Sequence, residues 1–156
     1  MVIFRFLLNQ FQQKQIFIND ISIMIELEKV QAFHGAFSIP VEKKPIIPAG
    51  SRCTLRQNIL QEEVDELKNA WESGNLIEVA DALADIHYVL MGTVLEFGLQ
   101  DKYADIFEEV HRSNMSKLDE NGKPIYREDG KVIKSVLYSK PEIENIIGKN
   151  ILIQRK

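Results

Sequence analysis

Apolar residues recur at helical spacing from Ile25 to about Phe37, where Leu27, Val30, Phe33 and Phe37 share a face. Pro40, Pro45, Pro48 and Gly50 then predict a loop. A second helix, capped by Ser51 or Thr54 and running to about Ser73, carries Leu55, Ile59, Leu60, Leu67 and Trp71 on its apolar side. Gly74-Asn75 is a short break, so the helix that follows should return antiparallel to the second. That third helix spans about Leu76 to Phe97 and stops at Gly98, a residue suited to the left-handed position after a helix end. It is apolar almost all round, with Ile77, Val79, Leu83, Ile86, Val89, Leu90, Val94 and Leu95, which predicts a central helix covered on most sides. A fourth helix, capped by Asp101, should run from about Lys102 to Ser116.

The pattern then changes. Asn121-Gly122 and Asp129-Gly130 are hairpin turn signals on either side of Pro124-Ile125-Tyr126-Arg127, with Lys131-Val132-Ile133-Lys134 beyond them. A small hairpin-like tail is expected from about residue 117, then a short helix from Pro141 to about Gly148. The fold class is therefore all-α: an antiparallel bundle of about four main helices, a short C-terminal helix and the tail.

Composition narrows the reading. The chain has 156 residues, 45% hydrophobic and 27% charged, which fits one globular domain. Its net charge of −4 argues against nucleic acid as a partner. One cysteine, Cys53, excludes an intrachain disulfide and a cysteine zinc cluster, and fits a reducing cytoplasm. No apolar run approaches the ~20 residues of a membrane span, so no membrane partner is expected. Residues 1–23 are rich in Phe, Ile, Gln and Asn; they read as a leader before a natural start at Met24, or as a transit peptide, ahead of a domain over 24–150.

The chemistry lies in the carboxylates. On the second helix Glu62, Glu63 and Glu66 fall within an arc of ~100°, and on the third Glu78, Asp81 and Asp85 fall within ~60°. Alone, the first group reads as a solvated face. The second stands on a helix with no Lys or Arg from Asn75 to Gly98, so it has no cationic partner of its own. Such acids need a metal, a cation from elsewhere, or protons. Two acidic faces on antiparallel neighbours make an oxygen cage for a hard cation. Magnesium is expected, with manganese as a substitute. Shared with substrate phosphates, it points to phosphate chemistry. Cations stand in other segments: Arg112 and Lys117 at the end of the fourth helix, and Lys123, Arg127, Lys131 and Lys134 in the tail.

Glu62-Glu63-x-x-Glu66, followed by a helix reading Glu78-Val79-Ala80-Asp81-Ala82-Leu83-Ala84-Asp85-Ile86-His87-Tyr88-Val89, resembles the all-α, MazG-like nucleoside triphosphate pyrophosphohydrolases. That superfamily includes the dimeric dUTPases and phosphoribosyl-ATP pyrophosphohydrolase. Residues 109–117, Asp129-Gly130-Lys131, Lys134 and Tyr138-x-x-Pro141 are similar to its phosphoribosyl-ATP pyrophosphohydrolase-like branch, whose characterised bacterial member prefers dUTP. The resemblance implies magnesium held by Glu63, Glu66, Asp81 and Asp85, with Glu78 on the same face. It implies Glu62 as the group that orients or deprotonates the attacking water. Arg112, Lys117, Lys131 and Lys134 would face phosphate, and Asn114 the base or sugar. His34 is either a packed histidine or a nucleoside contact. The superfamily pattern E-x-x-D on the third helix is not met in full: Asp85 holds the Asp place, but Ala82 stands where the Glu would be, and Glu78-x-x-Asp81 spells the motif one turn earlier.

The implied reaction cuts an NTP or dNTP to a monophosphate and pyrophosphate, with dUTP or a non-standard nucleotide favoured and a homodimer as the working unit. Three alternatives stand beside it. Phosphoribosyl-ATP hydrolysis in histidine synthesis uses the same chemistry, but that branch is usually shorter and lacks this tail. A ferritin-like di-iron bundle needs two E-x-x-H elements, and the chain has one, Glu108-x-x-His111. A non-catalytic dimerisation module leaves the unpaired acids of the third helix unexplained.

Overall fold

A computed structural model describes residues 23–148 and 152–154, so the leader assigned to residues 1–23 lies almost wholly outside the described residues. The fold is all-α. The chain forms two compact units: residues up to Gln100 with Leu152–Lys156, and Asp101–Ile151.

In the first unit, helix α1 covers 23–36. It buries Leu27, Val30 and His34, one turn apart along a single stripe. It closes where the Ile39 amide donates to the His34 carbonyl at 2.8 Å, with Ser38 in the left-handed region at φ 54°. A two-residue strand β1 (Ile46–Ile47) follows, then helices α2 (Gly50–Glu72) and α3 (Leu76–Glu96). Strand β1 pairs in parallel with β2 (Leu152–Ile153), Ile46 opposite Leu152 and Ile47 opposite Ile153.

Helix α2 does not begin at a side-chain cap. Ala49 holds the N-cap position, and its carbonyl takes the amides of Arg52 and Cys53. Ser51 and Thr54 lie inside the helix, and the Thr54 hydroxyl donates back to the Gly50 carbonyl at 2.9 Å. The helix starts at Gly50, just after the buried Pro48 and ahead of both residues expected to cap it.

Helices α2 and α3 form an antiparallel hairpin. The turn is built from Gly74 at φ 72° and from Asn75, whose side-chain oxygen accepts from the amides of Ile77 and Glu78. Arg52 meets Glu96 and Arg56 meets Thr93, so each step forward on α2 is a step back on α3. The core closes at the far end of the hairpin, around Met91, Val94 and Leu95. There a charged cluster is buried. Glu96, 1% exposed, accepts two hydrogen bonds from Arg52 at 2.9 and 2.7 Å and lies 3.6 Å from Arg56. Arg56 also donates to the Val89 carbonyl and the Thr93 hydroxyl. Burial pulls its guanidinium down from the ordinary arginine value, and Glu96 opposes that.

Two glycines make close approaches possible. A Cβ at Gly98, which sits at φ 64°, would lie 2.0 Å from the Lys44 carbonyl oxygen. The loop before α2 therefore crosses that backbone, and Ile46 donates to the Phe97 carbonyl at 3.1 Å. Gly92 faces the Arg56 guanidinium and the His34 ring.

The expectation that α3 is covered on most sides holds only for its last turns. Leu76 is 78% exposed, Ile77 81% and Leu83 52%. Among the described residues of the first unit, these side chains are left uncovered.

A 3₁₀ turn over Gln100–Lys102 leads into the second unit, which holds helix α4 (Tyr103–Met115) and the short α5 (Ile143–Ile147). Lys102 holds the N-cap position of α4 without a side-chain bond, and Asp101 is absorbed into the 3₁₀ turn rather than capping. Between the helices both predicted turns form. Gly122 and Gly130 sit at φ 71° and 83°. Asp119 brackets the first turn by accepting from the amides of Asn121 and Lys123. The second turn closes a minimal antiparallel bridge, Tyr126 with Val132.

Candidate active site

The register that brings Arg52 to Glu96 also brings Glu63 opposite Asp85. Glu62, Glu63 and Glu66 come from the middle of α2, and Asp81 and Asp85 from the first half of α3. Desolvation first, then the charges of Asp85, Glu66, Glu62 and Asp81, push the Glu63 carboxyl up from its ordinary value. Four of the other acids singled out in the sequence thus bear on Glu63, Glu62 and Glu66 from its own helix and Asp81 and Asp85 from across the seam. Glu78 lies toward the interhelix turn. There an open groove of ≈390 Å³ is lined by Glu66, Asn69, Ser73, Glu78 and Asp81 over a floor of Ala70 and Ala82.

Two points of the sequence reading change. The acids are exposed except for Glu63, which is half-buried. Their need for a cation therefore rests on the repulsion gathered at Glu63 and not on a fully buried, unpaired charge. Ala82, at the place of the pattern's Glu, is 4% exposed and forms part of the seam. A longer side chain there would have to leave the interface, whereas Glu78 and Asp81 reach the groove from the same helix.

The donor set is all carboxylate, which suits a hard divalent cation. Among the described residues none of Glu62, Glu63, Glu66, Glu78, Asp81 and Asp85 is ion-paired. No three of the described His, Cys, Asp or Glu side chains are already drawn in to coordination distance of one point. The side chains form two facing rows.

The remaining site residues fall elsewhere. His34 is 2% exposed, and its Nδ1 lies 3.0 Å from the Pro40 carbonyl. A carbonyl only accepts, so that nitrogen carries the proton. His34 is thus packed inside the first unit. Arg112, Asn114, Lys117, Lys131 and Lys134 all belong to the second unit. Arg112 is engaged: it donates twice to Glu109 at 2.7 and 2.8 Å and once to the Lys140 carbonyl at 3.1 Å. That hydrogen bonding holds the Glu109 carboxyl down at about 2. Arg112 is thus a clasp within its own unit. Lys117 donates to the Asn114 side-chain oxygen at 2.7 Å.

Sequence reasoning missed Asn69 and Ser73 as groove residues, although both follow Glu66 at helical spacing. It also missed the Arg52–Glu96–Arg56 cluster that fixes the helix register. The one signal for that cluster was a lone Glu between Leu95 and Phe97.

Residues 30–114, more than half of the chain, match the phosphoribosyl-ATP pyrophosphohydrolase family (PRA-PH). The chain belongs to that family. The match takes in all six carboxylates, and it ends before Lys117, Lys131 and Lys134. An uncharacterized protein of Acanthamoeba polyphaga mimivirus is 30% identical over 86 residues, which are 53% of this chain and 34% of the viral one. The chain thus spans about a third of the length of that curated relative. Among the described residues no single helix is long and apolar enough to cross a membrane.

Proposed function

We propose that this family member is a magnesium-dependent nucleoside triphosphate pyrophosphohydrolase, converting an NTP or dNTP and water to the monophosphate and pyrophosphate, with dUTP or a non-standard nucleotide favoured. The observation that carries the proposal is the pair of facing acidic rows on α2 and α3, where four neighbouring carboxylates raise the proton affinity of Glu63 and none of the five has an ion-pair partner among the described residues.

Glu63, Glu66, Asp81 and Asp85 would hold the metal, with Glu78 at the turn end of the groove. When bound, magnesium supplies charge against the phosphate oxygens and makes water a stronger acid. Glu62, exposed beside Glu63, takes the proton of the attacking water. The water oxygen bonds to the α-phosphorus, the bond from that phosphorus to the bridging oxygen breaks, and pyrophosphate leaves with the electron pair. Lys117, Lys131 and Lys134 are assigned to phosphate charge, and Asn114 to the base or sugar. The preference for dUTP rests on the resemblance of the fourth helix and tail to the dUTP-preferring branch.

The family match favours a second reading, phosphoribosyl-ATP as the substrate. The chemistry is the same and the nucleotide differs. Pyrophosphate release across all NTPs and dNTPs, dUTP and phosphoribosyl-ATP, with magnesium and with chelator, separates the two. Release from dUTP or another triphosphate, abolished by chelator and by Glu66→Gln, is expected. Release from phosphoribosyl-ATP alone selects the second reading, and no magnesium-dependent release from any of them overturns both.

The same proposal assigns a second copy of the chain to the apolar residues left bare on the hairpin: Trp71, Leu76, Ile77 and Leu83. Light scattering on the eluting protein should give twice the chain mass, and a monomer at micromolar concentration overturns that assignment.

A further inference from the structure

The second unit holds a cluster that the carboxylate chemistry does not use. Helix α4 carries Glu109, Arg112 and Ser113, with Ser116 at its C-cap, and the returning chain is fastened to it bond by bond. The Ser139 amide donates to the Ser116 hydroxyl at 2.9 Å, the Glu142 amide to Glu109 at 2.7 Å, and Arg112 to the Lys140 carbonyl. The Ser135 hydroxyl donates to the Leu118 carbonyl at 2.8 Å. These bonds fix where Tyr138 sits. Its hydroxyl meets the side chain of Ser113, itself only 4% exposed. The Lys134 ammonium stands 4.0 Å from the ring centre. Lys117, tethered to Asn114, brings a second positive charge to bear on the hydroxyl.

Among the described residues neither lysine has a carboxylate partner. The Ser113 hydrogen bond first, then the Lys134 and Lys117 charges, against some desolvation, hold the Tyr138 hydroxyl below the ordinary tyrosine range. Two ammonium groups near one phenol O–H are complementary to phosphate oxygens, for which lysine serves as a point charge.

We propose that Tyr138, on the segment bonded to α4 and with Lys134 over its ring, is a phosphate-binding residue that, together with Lys134 and Lys117, donates a hydrogen bond to a polyphosphate oxygen. The ligand class, the phosphate chain of a nucleotide or the pyrophosphate product, rests on the function proposed above.

Calorimetric titration of the full chain with inorganic pyrophosphate, in chelator, tests the cradle without turnover. Native protein should bind. Tyr138→Phe, which keeps the ring beneath Lys134, should weaken binding about tenfold, the worth of one hydrogen bond to a charged group. Lys134→Met should weaken it at least as much. Lys123→Met, the same charge change in the same tail, should leave it unchanged. The proposal is overturned by a native chain that does not bind pyrophosphate, by Tyr138→Phe binding as native, or by an equal loss in Lys123→Met. Hydrolysis of a nucleotide with pyrophosphate affinity indifferent to Tyr138 would remove the cradle and leave the proposed function. Tyr138-dependent pyrophosphate binding with no nucleotide hydrolysed would do the reverse.

Discussion

At Gly92 an added Cβ would lie 2.8 Å from Arg56 Nη2 and 2.9 Å from His34 Nε2. Both side chains are buried, and Arg56 is held by the Val89 carbonyl and the Thr93 hydroxyl, so neither yields freely. Gly92→Ala should therefore cost ~1–3 kcal/mol, the usual range for overpacking, read as a lower denaturation midpoint. A midpoint equal to that of the native protein would show that the guanidinium moves aside. Glu63 makes the opposite case. Its carboxyl is pushed up, so the folded chain keeps that proton longer than the unfolded chain does. Metal-free stability should then fall as pH rises from the ordinary carboxylate value of 4.5 through the raised one. Glu63→Gln should remove that slope. Near neutral pH in chelator it should raise the melting temperature by about a degree or two, the scale of relieved like-charge pairs in a chain of this size. The same variant should lose magnesium-dependent hydrolysis. A lower melting temperature in chelator would contradict the repulsion described here.

The helix hairpin depends on one short turn. Asn75 satisfies two amides at the start of α3, and Asn75→Ala should cost about 1 kcal/mol by thermal or urea denaturation. Its effect on KM should be small, because Asn75 does not line the groove. What was legible in the sequence follows this pattern. Gly74-Asn75, Gly98 and the tail turns at Gly122 and Gly130 were readable because one residue type meets one local backbone demand. The acidic rows were readable because helical period and chain reversal alone place them face to face. The start of α2 differs from the expectation because Ser51 and Thr54 have capping chemistry, yet the helix begins at Gly50 with Ala49 as its cap and no side-chain bond. The pairing of Arg52 and Arg56 with Glu96 links positions about forty residues apart along the chain, and no local pattern encodes it. The cover over α3 was misjudged for a related reason. Apolar periodicity reports which residues seek burial, but not whether this chain supplies the other wall.

For the molecule as a whole, the carboxylate rows predict a linkage between metal and stability. Magnesium that binds only the folded chain should raise the melting temperature in a concentration-dependent way, by the equivalent of about 2.7 kcal/mol at a hundredfold excess over its dissociation constant. Equal melting curves in magnesium and in chelator would place the metal elsewhere or nowhere. The two units also bear on how such curves are read. The chain leaves the first unit after Gln100 and rejoins it at Leu152, where β2 lies against β1. The second unit is therefore an insertion held at both ends. If it melts alone, it does not diffuse away, and its recovery is a loop-closure event within one molecule. A calorimetric transition that belongs to the insertion should keep its midpoint at every protein concentration. Separation of two copies of the chain should move to higher temperature as the protein is concentrated. A dilution series can thus sort local opening from subunit parting without altering a single residue.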